Sequence, residues 1–135
     1  MKPQNAETTA LQAPIATAED FKNALLKVRD SNLPDSHLAM LRAQCREPGG
    51  LITATQLSVA AEYQNFNAAN LQYGTLAMNV AVQLGFEPQK RADGTPRWWT
   101  TLSYCNDHSS DPATGHFQFV MRPELVAALK EMRWA

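Results

Sequence analysis

The stretch from Leu51 to Phe86 constrains the fold more than any other part of the chain. Thr53-Ala-Thr-Gln56 is a capping-box match, in which the Thr hydroxyl and the Gln amide each satisfy a backbone N–H at a helix start. It opens a short helix carrying Leu57, Val59 and Ala60 and ending around Ala61. The polar and aromatic Tyr63-Gln-Asn-Phe-Asn67 suits a turn, and Asn67 can cap a long helix from Ala68 to Leu84, stopped by Gly85. Ala69, Tyr73, Leu76, Ala77, Val80 and Leu84 recur at helical spacing as a buried stripe, with Gln72, Thr75, Asn79 and Gln83 on the opposite face. Gly74 interrupts this helix at a cost of about 1 kcal/mol relative to Ala, which predicts another backbone packed closely against it.

Met1 to Ala16, rich in Pro, Gln, Thr and Ala without apolar period, is expected as a tail, and residues 17–135 as one domain. Thr17-Ala-Glu-Asp20 resembles a capping box ahead of Phe21, Leu25 and Val28, and this helix ends near Asp30. Asp35 or Ser36 can cap a second helix with the stripe Leu38, Leu41 and Cys45, closed by Glu47-Pro-Gly-Gly50. Beyond Pro88 the period changes. Arg97 to Tyr104 and His116 to Met121 alternate as strands, the second with Phe117, Phe119 and Met121 on one face, and together predict a hairpin. In the first of these strands Trp98 and Trp99 should point to opposite faces, one into the core. Pro123 then suits the first turn of a helix with Leu125, Val126, Leu129 and Met132, closed by Trp134. The expected class is α+β and mainly helical: four helices, a β-hairpin and a C-terminal helix, the order of a winged helix-turn-helix.

In that order the long helix is placed to read a groove. Asn and Gln suit bidentate contact with adenine, which makes Asn67, Asn70, Gln72, Thr75 and Asn79 the candidates for base contact. Lys90, Arg91 and Arg97, flanking Asp93-Gly-Thr-Pro96, are the candidates for phosphate. Charge argues the other way, since no Lys or Arg occurs between Arg46 and Lys90, and the whole chain is near neutral, with 12 basic and 13 acidic residues. The alternative to a noncatalytic DNA-recognition module is therefore a protein-interaction module, an inhibitor or adaptor on the same scaffold. Tyr63, Phe66, Asn70 and Tyr73 would then be contacts, and Tyr63, Phe66 and an exposed Trp99 are the candidates for stacking or for a partner surface.

No nucleophile elbow, P-loop, glycine-rich dinucleotide turn or HExxH pair is present, so no catalytic residue and no cofactor is assigned. A third reading, a small hydrolase or nuclease, would draw on Cys105-Asn-Asp-His108 with His116 or His37 as metal ligands, or on Asp107, His108 and Asp111 as an acid-base cluster. Cys45 and Cys105, without a CxxC pair, are expected as free thiols. With no long apolar run and no signal-peptide pattern, the expectation is a cytoplasmic protein.

Thr53-Ala-Thr-Gln-Leu57, then Ala61-Glu-Tyr-Gln-Asn-Phe-Asn-Ala-Ala-Asn-Leu-Gln-Tyr-Gly-Thr-Leu-Ala77, resembles an accessory domain found alone or ahead of HNH nuclease domains in bacterial restriction-type proteins. Phe117-Gln-Phe-Val-Met-Arg-Pro-Glu-Leu125 and Met132-Arg-Trp134 extend the resemblance to about half the chain. It implies a DNA-targeting or defence-related role in a bacterial or phage setting. The His-Asn-His metal site of such nucleases is missing from this sequence, so cleavage is not implied. The matched Tyr63, Asn70, Tyr73 and Gly74 can equally be fold determinants.

Overall fold

The computed structural model describes residues 13–105 and 116–135. Its elements are helix α1 (Ala18–Ser31), helix α2 (Asp35–Arg46), a single-turn helix at Pro48–Gly50, strand β1 (Leu51–Thr53), helix α3 (Ala54–Ala61), helix α4 (Phe66–Leu84), a second single-turn helix at Trp98–Thr101, strands β2 (Ser103–Cys105) and β3 (Gln118–Met121), and helix α5 (Pro123–Glu131). The chain is α+β and mainly helical, with a small antiparallel sheet.

Local chemistry accounts for most helix ends. Thr17 Oγ1 accepts from the Asp20 amide at 3.1 Å while Asp20 Oδ2 accepts from the Thr17 amide at 3.0 Å. The same reciprocal box closes at Thr53 and Gln56. The long helix starts earlier than its sequence suggests, because Asn65, not Asn67, supplies the cap by accepting from the Ala68 amide at 3.0 Å. Gly85 ends it in the left-handed conformation. Neither Asp35 nor Ser36 caps α2, which begins after Pro34 without a side-chain cap. Ser36 Oγ instead accepts from the Tyr63 hydroxyl at 2.8 Å.

The sheet runs β1-β3-β2, so β3 is central. Ile52 lies opposite Phe119 on one side, and Cys105 opposite the same Phe119 on the other. β3 and the residue before it keep the expected alternation, burying Phe117, Phe119 and Met121. β1 has no counterpart in the sequence reading, because a three-residue strand wedged between Gly50 and the Thr53 cap is too short to show alternation. Gly50 itself is required there. Its φ is +70°, and a Cβ would meet Met121 Cβ at 3.0 Å and Met121 N at 3.2 Å.

The strand expected from Arg97 is a helical turn over Trp98–Thr101, and β2 starts only at Ser103. The turn is held from two sides. Thr100 Oγ1 donates to Arg97 O at 2.7 Å, and Arg122 donates to Thr100 O through Nε at 2.9 Å and Nη2 at 2.8 Å. Arg122 is only 3% exposed, and its burial pushes its pKa below the ordinary arginine value. Its Nη1 reaches back to Ala13 O at 2.9 Å. Of the expected N-terminal tail, residues 13–16 are described, and Ile15 and Ala16 pack against the core.

That core gathers Phe21, Leu25 and Val28 of α1, Met40 and Leu41 of α2, Leu57 of α3, Tyr73, Leu76 and Val80 of α4, and Leu125 and Leu129 of α5. Rings line its sheet side: Phe119 lies 4.8 Å from Tyr73, 5.0 Å from Phe117 and 5.7 Å from Trp99 between centroids. A closed polar ring sits inside it. The Tyr73 hydroxyl donates to Gln44 Oε1 at 2.6 Å, Gln44 Nε2 donates to Ser103 Oγ at 2.9 Å and to Gly50 O at 3.1 Å, and the Ser103 and Tyr73 hydroxyls share a 2.6 Å bond. Each donor then has an acceptor, the condition under which a buried polar network stabilises.

Candidate functional site

The face of α4 turned from the core holds Asn67, Leu71, Gly74, Thr75, Met78 and Val82, which recur every three or four residues. Leu71 is 68% exposed and Val82 66%, and Val59 on the adjoining α3 is 73% exposed. From Ala54 to Leu84 the only charged residue is Glu62.

Beside this face lies a cleft of about 240 Å³, bounded by α4 (Asn70, Leu71, Gly74, Thr75, Met78), by Arg91 and Pro96, and by Trp98, Trp99 and Phe119. Gly74 is not packed against another backbone: nothing lies within 4 Å of where its Cβ would be. The missing side chain leaves space in the cleft, and the helix bears its cost of roughly 1 kcal/mol without a packing return. Two buried polar atoms of the lining residues, Asn70 Oδ1 and Trp99 Nε1, have no hydrogen-bond partner. Such atoms are uncommon in native interiors, and each costs on the order of 1–3 kcal/mol.

The structure divides the sequence candidates. Asn70, Thr75, Arg91 and Trp99 meet around the cleft. Gln72 turns the other way, its Oε1 2.8 Å from His37 Nε2. Asn79 faces a separate groove with Val28, Ser31 and Asn32 of the α1 end, and Asn67 is exposed in the first turn of α4. Thr75 Oγ1 donates to Leu71 O at 3.1 Å.

Lys90, Arg91 and Arg97 do not belong to the β2–β3 pair. They sit on a separate ribbon after α4, where Lys90 bridges Pro96, the Arg91 amide donates to Thr95 O at 2.8 Å, and the Arg97 amide donates to Gln89 O at 2.9 Å. Asp93 at its tip accepts from Thr95 N at 3.0 Å and Thr95 Oγ1 at 2.7 Å, which holds its carboxyl below the ordinary range. Arg91 Nη1 donates to Pro96 O at 2.8 Å, so this guanidinium braces the ribbon.

Trp99 is not an exposed stacker. It is 6% exposed and edge-on to Phe117 at 5.3 Å. Tyr73 is wholly buried, while Tyr63 and Phe66 are half-buried against the core. Cys45 and Cys105 are free and buried. His37 is buried on Gln72, and among the described residues no group of His, Cys, Asp and Glu is placed to hold a metal. The proposed ligand His108 and the cluster Asp107, His108 and Asp111 lie outside the described residues, as does the turn of the expected hairpin. No helix among the described residues is long and apolar enough to cross a membrane.

Sequence reasoning missed Leu71, Met78 and Trp98 as parts of this surface. The sequence signal for it is Gly74, an unfavourable helix residue whose side-chain direction is open instead of closely packed. No protein-family model, curated protein or solved structure matches the chain.

Proposed function

We propose that this chain is a noncatalytic recognition module of winged-helix type that docks on a partner protein through the exposed face of α4. The observation that carries the reading is that Leu71 and Val82, about three turns apart on one face of α4, are each about two-thirds exposed on a face without a single charge. Large aliphatic side chains left in water along one helix face favour burial against another apolar surface, and the centres of protein interfaces are depleted of charge. Val59 extends the apolar character onto α3. The resemblance to restriction-associated accessory domains supplies the context, a DNA-targeting or defence assembly in which this module contributes binding and another component cuts.

A photo-crosslinking residue placed at Leu71 or at Val82, with exposed Lys27 on α1 as control, tests this in native cells. The docking reading expects one protein adduct at both helix positions and none at the control. Adducts to DNA, or equal labelling at all three sites, would sink it.

The element order favours a second reading, DNA binding by the same helix. A short helix, a turn, a longer helix and then a strand pair is the order in which the longer helix enters a major groove. Asn67, Thr75 and Asn79 would be the base contacts left to it and Lys90 the most accessible phosphate contact. With so few cations near the helix, binding should depend only weakly on salt, with a slope of about one or two phosphates.

A further inference from the structure

We propose that the partner docking on α4 is a second copy of the same chain, the two α4 helices packing antiparallel about a twofold axis beside the midpoint between Leu76 and Ala77. The inference rests on the docking reading of this face and names its occupant.

Leu71, Thr75, Met78 and Val82 follow one another at steps of four, three and four residues. That alternation is the 3.5-residue repeat with which one helix packs along another. At about 100° per residue the four side chains fall within roughly 60° of the helix surface. Leu71 and Val82, at the two ends of this seam, are the exposed large aliphatic residues of α4, and Thr75 and Met78 between them are half-buried. The Thr75 hydroxyl donates to Leu71 O at 3.1 Å, so it is satisfied within its own helix and can be covered without losing a partner. Steps of four, three and four read the same in either direction. A twofold axis at their centre therefore sets Leu71 of each copy on Val82 of the other and Thr75 on Met78, the reciprocal pairing that an isologous interface requires. Charge is matched as well. α4 carries no charged side chain from Phe66 to Leu84, so two copies meet without like-charge repulsion, whereas a charged partner surface would lose its water and find no countercharge. A seam of three turns is small beside the roughly 800 Å² per partner of a standard interface, so the dimer should form and dissociate with concentration.

Sedimentation of the full chain over about 5 to 500 μM tests this, with a reversible monomer–dimer equilibrium expected and a midpoint on the order of 10–100 μM. Leu71→Glu and Val82→Lys alter side chains that already lie two-thirds in water, so the fold tolerates them. Each alone should weaken association about tenfold or more. The double variant should recover most of that loss, because in the antiparallel pair the two new charges, opposite in sign, face each other across the axis twice. A chain that stays monomeric throughout the range, a dimer indifferent to Leu71→Glu, or a double variant no better than the single ones overturns the proposal. The docking reading is judged separately, by photo-crosslinking at Leu71 and Val82 in cells. With a chain monomeric in sedimentation, an adduct to one different protein at both positions keeps that reading while the second copy is ruled out, and no protein adduct at either position removes both.

Discussion

Tyr73 Oη and Gln44 Oε1 lie 2.6 Å apart inside the core, neither side chain reaching solvent. The bond joins α4 to α2, and through Ser103 the same ring joins both to β2. Burial pushes the Tyr73 phenol well above its ordinary range, which favours the neutral form that donates in the ring. Tyr73→Phe removes one hydroxyl and strands two groups, the Gln44 acceptor and the Ser103 donor. A loss of about 1–3 kcal/mol is expected in urea unfolding with little change in m-value. A variant as stable as the parent would mean that the ring contributes nothing net.

Gly50→Ala adds only a methyl group, but at a left-handed φ and against the backbone of Met121. Conformation and crowding act together, and β1 must move away from β3 to relieve the second. We expect a loss on the order of 2 kcal/mol or more, read as a lowered Tm. Gly50→Asn should recover only part of that loss, because it eases the φ cost without relieving the contact.

Gly74→Ala has the opposite sign. The position is helical and its Cβ direction is open, so stability should rise by up to about 1 kcal/mol. Denaturant titration of the two proteins side by side would check it, and a destabilised variant would disprove the openness of the site.

The Asp93 carboxyl is held below its ordinary range by Thr95 Oγ1 and then by the Thr95 amide. A depressed folded-state pKa means that the turn's contribution is complete above the ordinary carboxylate pKa and is lost as pH falls through the folded value. An NMR titration should show the Asp93 carboxyl protonating below the ordinary carboxylate range, with the Thr95 amide signal moving in step. In Thr95→Ala the midpoint should rise toward the ordinary value.

What was legible in the sequence followed from local chemistry. The capping boxes at Thr17 and Thr53, Gly85 as a stop, the stripe from Ala69 to Val80 and the alternation at Phe117, Phe119 and Met121 each depend on neighbours a few residues away. What was not legible depends on distant partners. Trp98 and Trp99 have strand-favouring chemistry, but Arg122 pulls the Thr100 carbonyl into a helical turn from more than twenty residues downstream. α3 buries Leu57 and leaves Val59, two residues on and so on the other side of the helix, exposed. The candidate site shows the same division. Asn70 and Thr75 were named from helix position alone, whereas their association with Arg91, Pro96 and the tryptophans required the fold.

Arg122 has one more consequence. A single guanidinium carries both the carbonyl of Thr100, in the turn that walls the cleft, and the carbonyl of Ala13, at the entry to the first helix. Trimming the chain to the helix start at Thr17 would therefore leave one arm of that clamp without its acceptor. The segment just before the first helix works as a mooring line for a wall on the far side of the sequence, and a shortened protein would carry a slackened cleft.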